Sequence, residues 1–427
     1  MKNIQEISLS AHRLIDERRD EIVAMLRDLI RFASVKGDAR DGAPFGEEVQ
    51  RVYEYMMNKA QDDEFDTVDV DHYGGHIEWP GAELDDTGEM VAAAAETLGI
   101  PVHLDVVPAA DGWSRDPFGA EIVDGVMYGR GTTDNKGAVA ATYAAMKALK
   151  DAGFVPAKNV RLMIGLDEET GWSGMEKYLE KIPAPDFGFS PDADFPIING
   201  EKGILDFSIA KKLTTTREKG IIIRSVEGGV APNSVPDKAR AIIMDETGDA
   251  KKGPYASVKE KLDEWREKTG HKINGKGVGK AFEITAHGRA AHGARPADGL
   301  NAVSVLLAFL GELGVANDSV GEFIDFYNEH IGFDLTGTKL GIACCDEPSG
   351  ALTLNVGLIS MDAEAVIIDV NVRYPVTMTD EEVYAALLPV IDAKNLGLVK
   401  KDNKAPIYFP EDAPLITKLM DVYRRHT

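Results

Sequence analysis

The stretch Tyr128-Gly-Arg-Gly-Thr-Thr-Asp-Asn-Lys-Gly137 leads directly into the run AVAATYAAMKALKDAG, which ends at Gly153. Its closely spaced glycines permit tight or positive-φ backbone, so we expect a loop here. The following run is rich in strong helix formers and ends on a C-cap glycine, which predicts a helix. Asp134 therefore lies in a loop just before a helix, where backbone N–H groups and the helix dipole favour an anion. Alone, this pattern equally fits a helix cap or a phosphate loop.

Acidic and imidazole side chains also follow other short apolar segments. These segments are IPVHLDVVP (residues 100–108) with His103, RLMIGLDEETG (161–171) with Glu168 and Glu169, and FGFSPD (187–192) with Asp192. Helical runs separate neighbouring segments, which predicts an α/β fold whose sheet is mainly parallel and flanked by helices. Ligands bind such sheets at the carboxyl ends of the strands. We therefore expect four strand ends, including one that carries Asp134, to meet in one crevice.

Several carboxylates can share one crevice only when cations neutralise them, because burial and mutual repulsion both disfavour their ionised form. The sequence therefore predicts a metal site, and we expect a dinuclear one. Asp134 is the candidate for the bridging ligand. A carboxylate has two oxygens, so it can hold two cations at the separation of about 3.5–4 Å that is typical of two-metal sites.

The segments HLDVVP, GRGTTDNKG, DEETG and SPDADFP, in this order, resemble those of the dinuclear zinc metallopeptidases that include carboxypeptidase G, acetylornithine deacetylase and succinyl-diaminopimelate desuccinylase. GGHIEW near residue 76 and NVRYP near residue 373 are most similar to the bacterial dipeptidase V (Xaa-His dipeptidase) branch. The resemblance extends from about residue 12 to the end of the chain. It implies hydrolysis of the amide bond of dipeptides by a hydroxide bound to two metal ions, with a Glu general base. It also implies a cis peptide bond after Asp134.

The resemblance assigns roles to several residues of these motifs, although Asp167 and Asp194 match it less well. His103, Glu169 and Asp192 become metal ligands beside the bridging Asp134, and Glu168 becomes the general base. This division agrees with geometry, because adjacent residues at a strand end point in different directions. An isolated Glu-Glu pair would instead be interpreted as a solvated acidic turn. One His among several carboxylates suits zinc, but it suits manganese or cobalt as well.

His103 and Asp105 are two positions apart, so in a strand they share one face. Asp105 could then hold the second ring N–H of a metal-bound His103 and fix its tautomer. Two alternatives remain open. Asp105 could itself be a metal ligand, and a lone His103 could be a hydrogen-bonded core histidine.

From residue 201 to 378, strand-like runs alternate with helix-like runs, which predicts an α+β domain inserted into the first one. Residues 1–200 and 379–427 would then form the catalytic domain. An inserted domain above a metal crevice is placed to act as a lid. In the dipeptidase branch such a lid closes over the substrate from within one chain, which implies a monomer.

Three residues of the predicted lid match positions of the family. His292 would donate a hydrogen bond to the developing oxyanion, and Asn233 would bind the substrate backbone or the oxyanion. Arg373 would bind the terminal carboxylate of the substrate through two hydrogen bonds. Without the resemblance, Arg373 would be interpreted as a salt-bridge residue on a strand and Asn233 as a turn former. His287 is the alternative to His292.

The 427-residue chain carries a formal net charge of −24, which argues against a nucleic-acid or anionic-membrane partner. The only cysteines, Cys344 and Cys345, are adjacent; they predict packed thiols rather than a disulfide framework or a nucleophile, and fit a reducing compartment. The N-terminus predicts one amphipathic helix rather than a signal peptide, and no apolar run is long enough to span a bilayer. We therefore expect a cytoplasmic enzyme with a small peptide substrate.

The family has a glycine-rich stretch and a last His ligand beyond the segment that here reads APIYFPEDAPLITKLMDVYRRHT. We expect both to be missing from the chain given, since His426 falls in the predicted last helix, upstream of that ligand. Either this sequence is a truncated form of a longer chain, or the second metal lacks one ligand. We expect the family reaction from the intact protein and impaired activity without the missing stretch. Two other functions remain open: deacylation of N-acyl amino acids, and metal-dependent binding without catalysis, against which Glu168 argues. Residues 78–98 suggest an extended surface connection without a functional interpretation.

Overall fold

A computed structural model describes residues 4–85, 87, 89–109, 112–214, 220–245, 255–315 and 318–427. The chain divides into two compact units, Met1–Asp194 and Phe195–Thr427. Within the described ranges, none of the helices combines the length and the apolar character that crossing a lipid bilayer requires.

The first unit alternates helices and short strands. In chain order its elements are α1 (Ile4–Glu17), α2 (Arg19–Arg31), α3 (Glu47–Asp62), β1 (Asp66–Asp69), β2 (Gly75–Trp79), β3 (Ala82–Leu84), β4 (Met90–Ala93), β5 (Thr97–His103), β6 (Glu121–Val123), β7 (Val126–Tyr128), α4 (Lys136–Asp151), β8 (Asn159–Gly165), α5 (Ser173–Lys181) and β9 (Phe187–Gly188). The predicted N-terminal helix is thus present as two helices, α1 and α2.

The main sheet of the first unit has the strand order β1-β2-β8-β5-β9. Strand β5 pairs in parallel with both β8 and β9, whereas β1 and β2 run antiparallel to their neighbours. The predicted α/β class is confirmed. Because β5, β8 and β9 are parallel, the segments that follow them leave the sheet at the same edge.

Helices α2, α3 and α4 pack against this sheet. Apolar residues of α3 recur at helical spacing, and Val52 and Met56 are fully buried. They share one core with Val139 of α4 and with Val102 and Ile164 of the sheet. The carboxyl ends of the parallel strands therefore project from a closely packed layer.

The second unit is built on a larger sheet. In chain order its elements are β10 (Gly200–Glu201), β11 (Gly203–Lys212), β12 (Ile221–Gly228), β13 (Lys238–Asp245), α6 (Ala256–Thr269), β14 (Lys272–Val278), β15 (Ala281–His287), α7 (Ala302–Leu313), α8 (Asp318–His330), β16 (Cys345–Asp346), β17 (Gly350–Ala351), β18 (Thr353–Met361), β19 (Ala365–Tyr374), α9 (Asp380–Ala393), β20 (Gly397–Lys404), β21 (Ile407–Tyr408) and α10 (Pro414–His426).

Its main sheet has the order β14-β15-β13-β12-β18-β19-β11-β20, and every neighbouring pair is antiparallel. Strand residues that point to one face, among them Phe207 and Ile368, are fully buried in one core with the very apolar helix α7. The α+β character predicted for this region is therefore present.

The sequence predicts that residues 379–427 belong to the catalytic domain, but in the structure they belong to the second unit. Strand β20 pairs with β11 along the second sheet, and α9 packs its Leu387 into the same core. Strand β20, with the sequence GLVKKDNK, lies exposed at the edge of the sheet. Its sequence lacks the apolar alternation from which a strand is predicted. The first unit also ends at Asp194 rather than at residue 200.

Residues 78–98 and the C-terminal segment each show features that the sequence does not predict. The connection at residues 78–98 contains the hairpin β3–β4, and β4 is exposed along its whole length. At the C-terminus, β21 pairs with β10, and the ring of Tyr423 on α10 stacks on Phe195. Helix α10 has no buried residue.

Candidate metal centre

The predicted ligands of the first unit lie at the carboxyl edge of its parallel strands. His103 is the last residue of β5, Glu168 opens a short 3-10 turn (Glu168–Thr170) after β8, and Asp192 follows β9. Asp134 comes instead from the loop just before α4, and the strand ahead of it, β7, belongs to the separate two-stranded sheet β6–β7. The expectation of four strand ends in one sheet was therefore wrong for Asp134.

The structure brings His103, Asp134 and Asp192 together. One ligand atom from each lies within 4.8 Å of the other two. Nε2 of His103 is 3.0 Å from Oδ1 of Asp134 and 3.4 Å from Oδ2 of Asp192. The imidazole is 1% exposed, whereas the carboxylates are 62% and 28% exposed, respectively, so the group opens to solvent on one side. One nitrogen and several carboxylate oxygens are donors that fit zinc, manganese or cobalt.

Asp105 determines how the His103 ring is oriented. Nδ1 of His103 lies 3.0 Å from the main-chain oxygen of Asp105 and 3.3 Å from its Oδ1. The oxygens of an ionised carboxylate and of a carbonyl only accept hydrogen bonds, so Nδ1 carries the proton in the neutral ring. The lone pair of Nε2 then faces Asp134 and Asp192, as a metal ligand requires. Asp105 lies on the opposite side of the ring, which fits the supporting position rather than that of a ligand.

Asp105 also holds the acidic turn, a contact that the sequence did not predict. Its Oδ1 accepts the backbone N–H of Glu168, and its Oδ2 accepts that of Glu169, each at 3.1 Å. The side chain is 1% exposed. One buried carboxylate therefore positions both the histidine and the two glutamates.

The two glutamates have different surroundings. Burial raises the pKa of Glu168; the charge of His103 opposes this shift, and the charge of Asp192 adds to it. Oε1 of Glu168 accepts a hydrogen bond from the Trp172 indole at 3.2 Å. Burial and the charge of Asp134 raise the pKa of Glu169. Glu169 is not part of the three-residue group, although its pKa responds to Asp134.

The protonation of His103 depends on the same carboxylates. Burial disfavours the imidazolium, but the hydrogen bond and charge of Asp105 and the charges of Asp192 and Glu168 outweigh this effect and raise the pKa of His103 to about 9. A metal ion at Nε2 requires the neutral ring, so metal binding competes with this proton.

Asn135 and Lys136 follow Asp134 directly, and their side chains form buried hydrogen bonds to neighbouring segments. Oδ1 of Asn135 accepts the backbone N–H of His103 at 3.2 Å. The ammonium of Lys136 donates to the main-chain oxygens of Leu29 and Phe32, both at 2.9 Å. Both side chains are fully buried. No sequence signal indicates this, because a Lys at a helix start is normally solvated. The peptide bond between Asp134 and Asn135 is cis, as the resemblance implies.

Asp167 and Asp194, the other acidic residues of these motifs, lie outside the group. Oδ2 of Asp167 accepts the backbone N–H and the hydroxyl of Ser173, and Oδ1 accepts the backbone N–H of Gly174. Asp167 therefore stabilises the start of α5. Asp194 is exposed.

In the second unit, His292 and Asn233 lie side by side. Ser234 and His292 form an isolated antiparallel bridge, and the Gly293 N–H donates to the main-chain oxygen of Asn233 at 2.7 Å. Nδ1 of His292 accepts the Ala294 N–H at 3.1 Å, so Nε2 carries the proton and is available as a donor. Its alternative, His287, is the last residue of β15.

Arg373 lies on β19, and its Nε donates to Oδ1 of Asn371 at 3.2 Å. Within the described ranges, the structure shows no ion pair for its guanidinium. Burial lowers the pKa of Arg373, while the charges of Asp206 and Glu201 oppose that shift. The alternative interpretation, a salt-bridge residue on a strand, is therefore not supported.

The sequence profile of peptidase family M20/M25/M40 matches residues 99–423. The chain belongs to this family. The protein is thus a metallopeptidase, an enzyme that uses divalent metal ions, and the group around His103 is its candidate metal site.

Named relatives match almost the whole chain. A Bacillus subtilis protein, "Putative dipeptidase YtjP", is 34% identical over 412 residues, which is 95% of this chain and 84% of the relative. "Putative dipeptidase SH1171" of Staphylococcus haemolyticus is 33% identical over 420 residues, or 97% and 85%.

Solved structures agree on the fold. Human carnosine dipeptidase 1 matches with a TM-score of 0.50 and 18% identity, over 96% of this chain and 83% of its own. The aminoacylhistidine dipeptidase from Vibrio alginolyticus has a TM-score of 0.50 and 14% identity, over 95% and 83%.

Proposed function

We propose that this metallopeptidase hydrolyses the amide bond of dipeptides, as either an Xaa-His dipeptidase or a broad one. The observation that carries the proposal is the convergence of His103, Asp134 and Asp192 within 4.8 Å, beside the partly buried Glu168. The names of the relatives support the choice of substrate. His103, Glu169 and Asp192 would bind two divalent ions that share Asp134. Zinc, manganese and cobalt all fit a donor set of one imidazole and several carboxylates.

Bound divalent ions supply Lewis acidity, which polarises the scissile carbonyl and lowers the pKa of a water molecule. Glu168 accepts the proton of the attacking water and delivers it to the leaving nitrogen. A carboxylate that reaches this water can accept its proton and later donate it, so one residue serves both transfers. The Trp172 indole and the turn held by Asp105 fix the direction of this carboxylate.

We propose that the second unit is the lid and supplies the substrate-binding side chains. His292 would donate a hydrogen bond from its Nε2–H to the developing oxyanion, because its Nδ1 already accepts the Ala294 N–H. Asn233, its neighbour, would bind the substrate backbone or the same oxygen. Arg373 would bind the free carboxylate of the substrate, since it lacks an ion-pair partner in the described part of the chain. We also propose that the protein is a monomer and that it is located in the cytoplasm.

The experiment is a substrate panel with protein loaded with zinc, manganese or cobalt, after the bound metal has been counted. We expect turnover of dipeptides that exceeds turnover of acetyl- and succinyl-amino acids. Faster turnover of the acyl compounds would favour a deacylase, which would use the same metal site and the same Arg373. Stoichiometric metal binding without turnover of either class would contradict both enzymes and favour a binding protein.

A further inference from the structure

A chain of three polar side chains crosses strands β11 and β19 of the second unit. Oδ1 of Asp206 accepts a hydrogen bond from Nδ2 of Asn371 at 2.6 Å, and Oδ1 of Asn371 accepts one from Nε of Arg373 at 3.2 Å. Asp206 and Asn371 are directly opposite in the sheet, while Asn371 and Arg373 are two positions apart on one strand. All three side chains therefore share one face.

The direction of these hydrogen bonds is set by charge. An ionised carboxylate only accepts, so Asp206 fixes the amide of Asn371 with its NH₂ group towards Asp206. The amide oxygen then points to Arg373, whose guanidinium only donates. Asn371 is 1% exposed, so water does not compete for these contacts. The guanidinium is therefore held by Nε on one edge, and its two Nη groups have no partner among the residues that the structure describes.

We propose that Asn371 is a positioning residue which, backed by Asp206, orients Arg373 so that its Nη edge binds the terminal carboxylate of the substrate. The inference rests on the function proposed above for Arg373. An arginine on a long flexible side chain loses rotamer freedom when it binds a carboxylate. A guanidinium that is already held by Nε loses less, and it presents two parallel N–H groups to both carboxylate oxygens. Asn371 thus acts on substrate binding rather than on the chemistry at the metals.

The test compares a dipeptide that has a free carboxylate with the same dipeptide as its C-terminal amide. The measured quantity is the ratio of kcat/KM for the two substrates in the metal-loaded full chain. We expect Asn371→Ala to lower this ratio about tenfold, through KM of the carboxylate substrate, which corresponds to one charge-assisted hydrogen bond. Calorimetric binding of both peptides to a Glu168→Gln background gives the same comparison without turnover.

Ser208 provides a matched control. Its buried hydroxyl donates to Oδ1 of Asp369 at 2.7 Å, across the next same-face pair of the same two strands. Ser208→Ala removes a similar cross-strand hydrogen bond without a contact to Arg373, so the ratio should not change. If Asn371→Ala lowers kcat/KM equally for both peptides, as a general loss of structure would, the inference is overturned.

A double-mutant cycle separates this inference from the proposed function. Arg373→Met should lower the ratio, and adding Asn371→Ala should lower it no further, because Asn371 acts only through Arg373. If Arg373→Met lowers the ratio and Asn371→Ala does not, only the positioning role of Asn371 fails. If Arg373→Met leaves the ratio unchanged, the proposed carboxylate binding fails and takes this inference with it.

Asp206, at the other end of this hydrogen-bonded series, provides a second test if Asn371→Ala does not fold. Asp206 is less buried, and Asp206→Ala frees the Asn371 amide to rotate away from Arg373. The ratio should again fall, by a smaller factor. An unchanged ratio in a folded Asp206→Ala protein would overturn the inference.

Discussion

Oδ1 of Asp105 lies 3.3 Å from Nδ1 of His103 and directs the other ring nitrogen towards the candidate metal site. The same carboxylate accepts the backbone N–H groups of Glu168 and Glu169. Asp105 therefore couples the orientation of the histidine to that of the acidic turn. This coupling explains how two segments from different strands present their side chains to one point.

Replacing Asp105 should weaken metal binding although Asp105 is not proposed as a ligand. Asp105→Ala leaves the backbone N–H groups of Glu168 and Glu169 without their acceptor and releases the His103 ring. We expect metal affinity to fall about 10–100-fold, the usual cost of removing a residue that orients a ligand. Titration with a metal-competing chelator measures this. The exposed Asp194→Ala is the control, and equal affinities of the two variants would contradict the role of Asp105.

Replacing the proposed general base should separate catalysis from metal binding. Glu168→Gln keeps the shape of the side chain but cannot accept a proton. We expect kcat to fall by about 10²–10⁴ while the number of bound metal ions is unchanged. Steady-state kinetics and metal analysis of one preparation check both statements. Glu176→Gln, on the exposed surface of α5, should retain full activity, and a wild-type rate in Glu168→Gln would rule out the proposed proton transfer.

The buried ammonium of Lys136 should stabilise the first unit. Lys136→Met removes one donor from each of the main-chain oxygens of Leu29 and Phe32, which then keep only the N–H groups of Phe32 and Ser34. The loss of these two charge-assisted hydrogen bonds should cost about 1–3 kcal/mol of unfolding free energy. Urea unfolding measures the difference. Lys150 is a suitable control because it lies on the same helix and also donates to two main-chain oxygens, those of Asp63 and Glu64, from a more exposed position. If Lys136→Met and Lys150→Met lower the unfolding free energy by similar amounts, the burial of Lys136 adds nothing to its stabilising effect, which would contradict the prediction.

The second unit should lose stability in acid through Asp346. Burial acts to raise the pKa of this carboxyl, but hydrogen bonds from Ser349 and Thr377 outweigh it and lower the pKa to about 2. Because the folded pKa is below the unfolded value of about 3.9, the stabilisation is complete above that pH. It is lost as the pH falls from about 4 towards 2.

Asp346→Asn removes this titration. The variant should be less stable than the wild type at pH 7, and the difference should shrink as the pH falls through the same window. Unfolding free energies in urea at several pH values test the expectation. A difference that stays constant across the window would show that Asp346 does not titrate as described.

The sequence predicted those parts of the structure that local patterns encode. Helix α4 was expected after the glycine-rich loop and is present at Lys136–Asp151, because helix formers and a terminal glycine are local signals. The sequence also predicts that His103 and Asp192 lie close together, because parallel strands end at one edge of a sheet. The structure places them in one group. The cis peptide after Asp134 followed from the resemblance and not from any local pattern.

Other features depend on contacts between distant positions. Asp206 and Asn371 are 165 positions apart, and only the register of β11 and β19 makes them neighbours. The burial of Lys136 depends on the end of α2, which the sequence of α4 does not specify. Strand β20 was missed because an exposed edge strand does not need apolar alternation. The roles of His292, Asn233 and Arg373 stay predictions.

The most direct test of the central claim is a crystal structure of the protein soaked with zinc or manganese, with anomalous scattering recorded at the metal edge. We predict two anomalous peaks about 3.5–4 Å apart, on either side of the Asp134 carboxylate, with Nε2 of His103 within bonding distance of one of them. A map without peaks beside Asp134, in which His103 keeps its carboxylate contacts in the presence of saturating metal, would contradict the account.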